Sequence, residues 1–380
     1  MNNWIEISES NLAANFRALE AAAGPETEIL AVVKANAYGH GAELCSVTLA
    51  RAGARWLGVT CAEEGVRVRL ALTLAGFIGT RIMVMSGFLP DDVPLLREHA
   101  LTPIVWTAEH VAWLSEFAGC PVHVEVDTGM GRQGVLPGEE LAALLAPIAA
   151  AGLRLDGIFT HFSSSEEAAS PLTQTQQLLF EAAVAEVKQS GLRPAWLHAG
   201  NSSTVDNPAQ DSPWLADLAA AVGARAMVRT GLALYGYCLA IERQAEPRVA
   251  PALQPVMTWK ARVLSVRSLA IGETVGYNAT FTARFPMRVA LLPVGYADGL
   301  RRELSSTNDQ PGGWAILHRQ RALILGRISM NLTVVDVTGI HDVRTGDEAI
   351  VLGPGITAAN HARLARTIPY EILCGIHPCG

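Results

Sequence analysis

Ala31-Val32-Val33-Lys34-Ala35-Asn36-Ala37-Tyr38-Gly39-His40-Gly41 reads as a short apolar strand that ends on a lysine and runs at once into a Gly-containing turn. An amine fixed at the end of a buried strand is held rigidly, partly desolvated, and aimed at the pocket formed by the following loop. That is the arrangement a carbonyl-bearing cofactor needs for attachment. Taken alone, such a lysine is more often an ordinary one snorkelling to solvent. Its surroundings decide between the two.

Outward from this segment, strand-like and helical stretches alternate. Leu30–Val33 is followed by strand-like runs at Trp56–Val59, Arg81–Met85, Leu101–Val105, Val122–Val126, Leu155–Thr160, Trp196–His198 and Met227–Arg229. Helical patterns lie between or before them, as at Ser10–Ala23 with Leu12, Phe16 and Leu19 in register and Ser10 as N-cap. Others are Glu43–Ala52, Ala62–Leu70, Gly138–Ala151, Ser170–Ser190 and Asp211–Ala221. The spacing predicts an α/β fold whose first domain, residues 10–240, is a (β/α)8 TIM-like barrel. No G-x-G-x-x-G follows the first strand, so a dinucleotide-binding sheet finds no support.

The texture changes after Tyr237. Residues 242–255 carry four charged residues and three prolines and read as a linker. Beyond it, Val256–Val266, Arg288–Pro293, Ala322–Ile328, Thr333–Val337 and Glu348–Leu352 are short β-branched runs separated by turns such as Pro311-Gly312-Gly313. They predict a C-terminal mostly-β domain over residues 241–380. Trp4-Ile5-Glu6-Ile7 alternates like a strand.

Half the 380 residues are hydrophobic and 17% are charged, enough apolar content for sizeable cores. The net charge of −7 argues against nucleic acid or an anionic membrane as partner. The longest apolar stretch, Leu141–Leu155, is broken by Pro147 and Gly152 and falls short of a membrane span. The start of the chain shows neither a basic leader nor an apolar signal region. Cys45, Cys61, Cys120, Cys238, Cys374 and Cys379 lack metal-ligand spacing, so no metal site is expected. Mostly buried thiols in a reducing, cytoplasmic compartment are expected instead.

Functional residues of a barrel sit at the C-terminal ends of its strands. Lys34, Asp127, Thr160-His161, His198–Ser202 and Arg229 all fall at such ends. One histidine there is usually structural; five polar strand ends in one barrel are harder to dismiss.

Val32 to Gly41 resembles the pyridoxal 5'-phosphate signature of the alanine racemase family, and the resemblance runs from Trp4 to Tyr370. It implies a pyridoxal-phosphate enzyme (an isomerase interconverting L- and D-alanine for peptidoglycan precursors), with residues 1–9 pairing onto the second domain. Lys34 carries the cofactor in this reading. Thr160-His161-Phe162 matches a segment whose histidine lies by the cofactor ring. In His198-Ala199-Gly200-Asn201-Ser202 the serine donates to the phosphate, and Tyr370 of Ile368-Pro369-Tyr370-Glu371 also reaches it. In Arg229-Thr230-Gly231-Leu232-Ala233-Leu234-Tyr235-Gly236 the arginine faces the pyridine nitrogen, and amides near Gly231 cradle the phosphate. Tyr38, Asn201 and Leu232 complete the implied cofactor set.

Racemisation needs proton carriers on opposite faces of the substrate Cα. Lys34 serves one face. Tyr277, in a segment resembling T-V-S-Y-G-x-T-Y, serves the other, and in the family it enters from the partner subunit of a homodimer. A free tyrosine has a pKa near ~10, so neighbours must lower it; His161 and Arg229 are the candidates. An arginine, which keeps its proton, leaves the ring nitrogen unprotonated and weakens the electron sink, which limits side reactions.

Arg132 of Asp127-Thr128-Gly129-Met130-Gly131-Arg132-Gln133-Gly134 is implied to bind the substrate carboxylate. Met330 of Gly326-Arg327-Ile328-Ser329-Met330-Asn331 and Tyr296 of Val294-Gly295-Tyr296-Ala297-Asp298-Gly299 are also implied to touch substrate, with Arg302 and Arg327 lining the entrance. Two positions depart from the pattern. Glu125 stands where many members carry a carbamylated lysine that orients the arginine, which puts direct contact with Arg132 in doubt. Asn331 replaces an aspartate.

A serine racemase and a catalytically weakened cofactor-binding relative are the alternatives. The second domain and Tyr277 argue against a barrel-only binding protein. A barrel decarboxylase would need a Gly-rich phosphate loop and a late cysteine–aspartate pair, which are missing.

Overall fold

In the computed structural model, which describes residues 2–210, 213–242 and 246–378, the chain opens on strand β1 (Asn3–Ile7). Met1, Asp211 at the expected helix start, Arg243 in the linker and Cys379 lie outside the described residues. Eight further strands follow: β2 (Thr27–Val32), β3 (Trp56–Val59), β4 (Arg81–Val84), β5 (Leu101–Val105), β6 (Pro121–Glu125), β7 (Arg154–Phe159), β8 (Trp196–His198) and β9 (Arg225–Thr230). They close a parallel barrel in sequence order, with β9 returning to pair with β2.

The reason lies in their composition. Every residue of β3 and of β5 is buried, because one face fills the barrel and the other lies under the helices. The helix Glu9–Ala23 buries Leu12, Phe16 and Leu19 on one stripe. Asn15 lies on that stripe as well. Its amide donates to the carbonyls of Leu234 and Gln254 at 2.9 and 2.8 Å and accepts from Gln254 N–H, so a buried polar group is satisfied and fixes the end of the barrel.

Observed ends of the barrel strands differ from the expected ones by up to three residues, most at β2, which starts at Thr27 and not at Leu30; the later run expected over Ala322–Ile328 is a strand only over Gln320–Leu323. Ser10 lies inside the first turn of its helix, which opens at Glu9, and is not the cap. The helices Val93–Glu98 and Ala108–Trp113 escape the periodic reading because six residues are too few for a helical stripe to repeat.

The chain divides into two compact units, Glu9–Ala37 with Gly41–Gln254, and Met1–Ser8 with Tyr38–His40 and Pro255–Gly380. In the second unit β1 pairs antiparallel with β10 (Met257–Arg262), Ile5 opposite Trp259. There follow β11 (Ser265–Leu269), β12 (Thr274–Val275), β13 (Phe281–Thr282), β14 (Met287–Leu292), β15 (Trp314–Leu317), β16 (Gln320–Leu323), β17 (Thr333–Asp336) and β18 (Glu348–Leu352). They form a five-stranded sheet in the order β1-β10-β18-β15-β16, a three-stranded sheet β11-β14-β17, and the hairpin β12-β13. The run read as one strand over Val256–Val266 is thus two strands in different sheets. The helices Ala358–Ala365 and Pro369–Cys374 near the end of the chain were not foreseen.

The five described cysteines form no disulfide, but only Cys45 and Cys120 are buried, Cys61 and Cys238 are half-buried and Cys374 is exposed, so the expectation of mostly buried thiols fails. Among the described residues no helix is long and apolar enough to cross a membrane.

Candidate active site

Strand β2 ends at Val32, yet Val33 N–H still donates to Gly58 O of β3 at 2.8 Å. Lys34 is therefore the first residue of the turn and not the last of the strand. The next four residues form a left-handed turn without a glycine: φ is 52° at Ala35, 53° at Asn36, 54° at Ala37 and 54° at Tyr38. Left-handed backbone costs L-residues about 1–2 kcal/mol each, so this turn persists only because its surroundings over-determine it. Ala35 N–H donates to Glu64 Oε1 at 2.9 Å, and Asn36 accepts from Gly41 N–H at 2.9 Å and from Ala42 N–H at 3.0 Å. Tyr235, fully buried, anchors the approach by donating its hydroxyl to Val32 O at 2.9 Å. Lys34 is thereby fixed from both sides.

Ser202 opens a short helical turn, Ser202–Asp206, capped by the Asn201 side chain, which accepts from Ser203 N–H and Thr204 N–H. Ser202 Oγ accepts from Gly231 N–H at 3.0 Å and Ala233 N–H at 3.2 Å. A hydroxyl and two backbone amides thus converge, with Leu232 between the amides. That donor set suits a phosphate.

Arg229 is buried, and three of its five N–H groups are spoken for. Nη1 reaches His198 Nδ1 at 3.2 Å; Nη2 reaches Thr160 O at 2.8 Å and His161 Nδ1 at 3.0 Å. The guanidinium lies over the Phe159 ring at 5.0 Å. Two donors remain, on Nε and Nη1, and a ring nitrogen with a lone pair would satisfy one. Burial lowers the Arg229 pKa to about 10, Glu125 working against the shift and Arg132 with it, which leaves the group charged at neutral pH.

Because arginine only donates, His161 must accept at Nδ1 and carry its proton on Nε2. Burial, then the charges of Arg229, Arg132 and Lys34, push the His161 pKa to about 3, so the imidazole is neutral.

Glu125 ends β6 and is buried. Its carboxylate takes a short hydrogen bond from the Gln133 amide, which also donates to Met85 O at 3.0 Å. The direct Glu125–Arg132 contact placed in doubt above is replaced by this Gln133 contact, and Arg132 itself is exposed. Burial raises the Glu125 pKa, while Gln133 and the charges of Arg229 and Arg132 oppose the rise. The loop bearing Arg132 is wound around Asp127 Oδ1, which accepts from the amides of Gly129, Met130 and Gly131. Gln176 ties that loop to the His161 segment by donating to Thr128 Oγ1 at 3.1 Å and His161 O at 2.9 Å.

Within the second unit, Tyr277 sits 65% exposed on a turn after β12. Gly276 has φ 76°, and a Cβ there would stand 2.9 Å from Arg327 N, so the turn packs against the Gly326-Arg327 backbone. Tyr296 and Met330 are brought together: Tyr296 N–H donates to Ser329 O at 3.1 Å and Ala297 N–H to Met330 O at 2.9 Å. Tyr370 lies on the helix Pro369–Cys374 with its ring 5.8 Å from that of Tyr38. Burial raises the Tyr38 pKa far above the ordinary phenol value, with Tyr370 and Cys374 adding to it, so Tyr38 stays protonated.

Gln133 and Gln176 were missed in the sequence. Neither carries a local signal, because their partners come from other elements of the barrel.

The family model for the alanine racemase N-terminal domain matches residues 7–238, and that for the C-terminal domain matches residues 256–379. An alanine racemase of Halothermothrix orenii is 34% identical over 382 residues, covering 98% of this chain and 94% of that protein. The alanine racemase structure from Streptomyces coelicolor superposes with a TM-score of 0.85 at 32% identity, covering 99% of this chain and 96% of that one. The structure from Bartonella henselae, which holds covalently bound pyridoxal phosphate, superposes with a TM-score of 0.83 at 26% identity over 100% of this chain and 98% of its own.

Proposed function

This chain belongs to the alanine racemase family, and from that premise we propose that it interconverts L- and D-alanine with pyridoxal 5'-phosphate held on Lys34. The observation that carries the reading is Arg229, buried among acceptors on three sides with two donors left over.

The residues present fit the cofactor. Ser202 with the amides of Gly231 and Ala233 would hold the phosphate, joined by Asn201, Leu232, Tyr38 and Tyr370. Arg229 would face the ring nitrogen and His161 lie by the ring. When bound, the cofactor would supply an electron-withdrawing ring that makes the substrate Cα–H acidic. Arg229 donates to the ring without giving up a proton and so keeps the withdrawal weak. The Lys34 amine takes or returns the Cα proton on one face, and the Tyr277 phenol does so on the other. A neutral His161 with its proton on Nε2 is a suitable donor to stabilise a phenolate. Arg132 binds the substrate carboxylate, with Met330 and Tyr296 at the substrate. The enzyme acts as a homodimer in the cytoplasm, with the partner subunit's Tyr277 completing each site, and its D-alanine serves cell-wall precursors.

D-alanine formation from L-alanine tests the reading directly. Wild type should turn over, while Lys34→Ala and Tyr277→Phe should each lose most activity. Mixing the two inactive variants should restore about a quarter of wild-type activity, because a mixed dimer regains one intact site of two. Wild-type rates in both variants would sink the two-base assignment. Borohydride reduction and peptide mapping should place a pyridoxyl adduct on Lys34.

A further inference from the structure

Behind Arg229 a line of side chains runs through the barrel interior that the proposed mechanism leaves unused. His198 Nε2 lies 2.8 Å from His123 Nδ1, and His123 Nε2 lies 3.3 Å from Asp156 Oδ2. Asp156 in turn meets Arg81 at 2.7 Å and Arg154 at 3.3 Å. Both imidazoles are fully buried. Trp56 stands edge-on to His123 at 5.4 Å and Phe159 stacks on His198 at 4.4 Å, so neither ring can turn without displacing an aromatic neighbour.

Two local features build this line. The pairing of β6 with β7 slips between Val122 and His123, leaving Asp156 as an extra residue on β7; such a bulge re-aims a side chain. The next residue is Gly157, and a Cβ there would lie 2.3 Å from His123 Nδ1. Only a glycine leaves room for the ring.

The donor inventory then assigns every proton. Arg229 has no acceptor, so His198 Nδ1 accepts from it and the His198 proton sits on Nε2. That N–H donates to His123 Nδ1, which places the His123 proton on Nε2, and this N–H donates to the Asp156 carboxylate. Burial, reinforced by the Arg229 charge, keeps His198 neutral; burial keeps His123 neutral against the pull of Asp156. For Asp156, burial opposes ionisation, but the His123 N–H and the Arg81 charge outweigh it.

We propose that His123 and Asp156 are positioning residues for Arg229: they lock the His198 tautomer so that its Nδ1 lone pair always faces the guanidinium, and they relay the Asp156 charge to it. The proposal deepens the functional reading above, in which Arg229 meets the cofactor ring, and rests on it for its effect on catalysis. Reversing the line would set the His198 N–H against the Arg229 N–H, two donors face to face, and the guanidinium would swing off its line. Asp156→Asn does this without changing shape, because the amide can donate to His123 Nε2 and so turn every bond around.

The test uses holoenzyme with ring-15N histidine and long-range proton–nitrogen correlation near neutral pH, the two signals assigned by their loss in His123→Gln and His198→Gln. Wild type should show His123 and His198 both protonated on Nε2 and bare on Nδ1. An Nδ1–H on either ring overturns the proposal. Asp156→Asn should move both protons to Nδ1, lower kcat by about tenfold or more, change KM for alanine by about twofold or less, and shift the absorption of the bound cofactor. Asp156→Glu should regain part of the rate. Wild-type kcat and absorption in Asp156→Asn, despite reversed tautomers, would overturn the positioning role. A wild-type holoenzyme with both Nε2–H tautomers but no turnover of alanine supports the lock and overturns only the functional reading.

Discussion

Gly157 and His123 face each other across β6 and β7 so closely that a single methyl group on the glycine would lie 2.3 Å from the ring nitrogen Nδ1. His123 cannot yield, because it is held by His198 on one side and Asp156 on the other. Gly157→Ala should therefore cost about 1–3 kcal/mol as overpacking, despite the higher strand propensity of alanine. Denaturant titration followed by fluorescence measures it; an unchanged midpoint would mean that the ring has room to move.

Glu125 and Gln133 make a separate prediction. Gln133→Ala leaves a buried carboxylate without its N–H partner, and should cost about 1–3 kcal/mol. Glu125→Gln keeps the shape and can still accept from Gln133, so stability should hardly change. What it removes is the negative charge that acts on Arg132 and Arg229. If that charge steadies Arg132 for a substrate carboxylate, KM for alanine should rise severalfold while the melting temperature stays put. Steady-state kinetics beside a melting curve separate the two effects; an unchanged KM would leave the charge without a role in binding.

Buried neutral histidines set the acid response. The His161 pKa is pushed to about 3, by burial first, and burial pushes that of His361 to about 4 and that of His198 well down. Unfolded imidazoles titrate near ~6.5. Below that value the unfolded chain binds protons that the folded chain refuses, so stability is complete at neutral pH and falls as pH drops through ~6 towards ~4. Each such group contributes a slope of about 1.4 kcal/mol per pH unit. Glu125, with its raised pKa, works in the opposite sense and softens the loss. His123 and His110, their pKa values also lowered by burial, act in the same sense, so at pH 5.5 unfolding should show a net uptake of protons, read from calorimetric enthalpies in buffers of different ionisation heat. Proton release there would contradict the neutral assignment.

The barrel was legible because its strands are apolar on both faces, and because polar residues such as Arg229 and His161 stand at the strand ends where that pattern breaks. His123 was not legible. It sits between Val122 and Val124 inside a strand, where a lone histidine reads as core filling. Asp156 gains its meaning only from a register slip against β6, which no local pattern announces. The Gln133 amide becomes a partner of Glu125 only when the loop after β6 folds back. In the second unit the run Val256–Val266 hid a break between two strands of different sheets, because β-branched residues continue across it.

The left-handed turn after Lys34 is the strongest conflict between local preference and structure. Ala35, Asn36, Ala37 and Tyr38 favour right-handed or extended backbone, yet all four take φ near 53°. Ala35 is exposed, its N–H tied to Glu64 Oε1, so its side chain can be changed with little effect on packing. Glycine there removes about 1–2 kcal/mol of left-handed strain and adds about 0.5–1 kcal/mol of unfolded-state entropy, for a net gain of up to about 1.5 kcal/mol. A β-branched residue fits this backbone worse than alanine does. Stability should therefore fall in the order Ala35→Gly, wild type, Ala35→Val, as measured by denaturant midpoints. Activity should move the other way for glycine, because a looser turn holds the Lys34 amine less firmly. A stabilised Ala35→Gly variant with undiminished kcat would show that the strain does not serve the placement of Lys34.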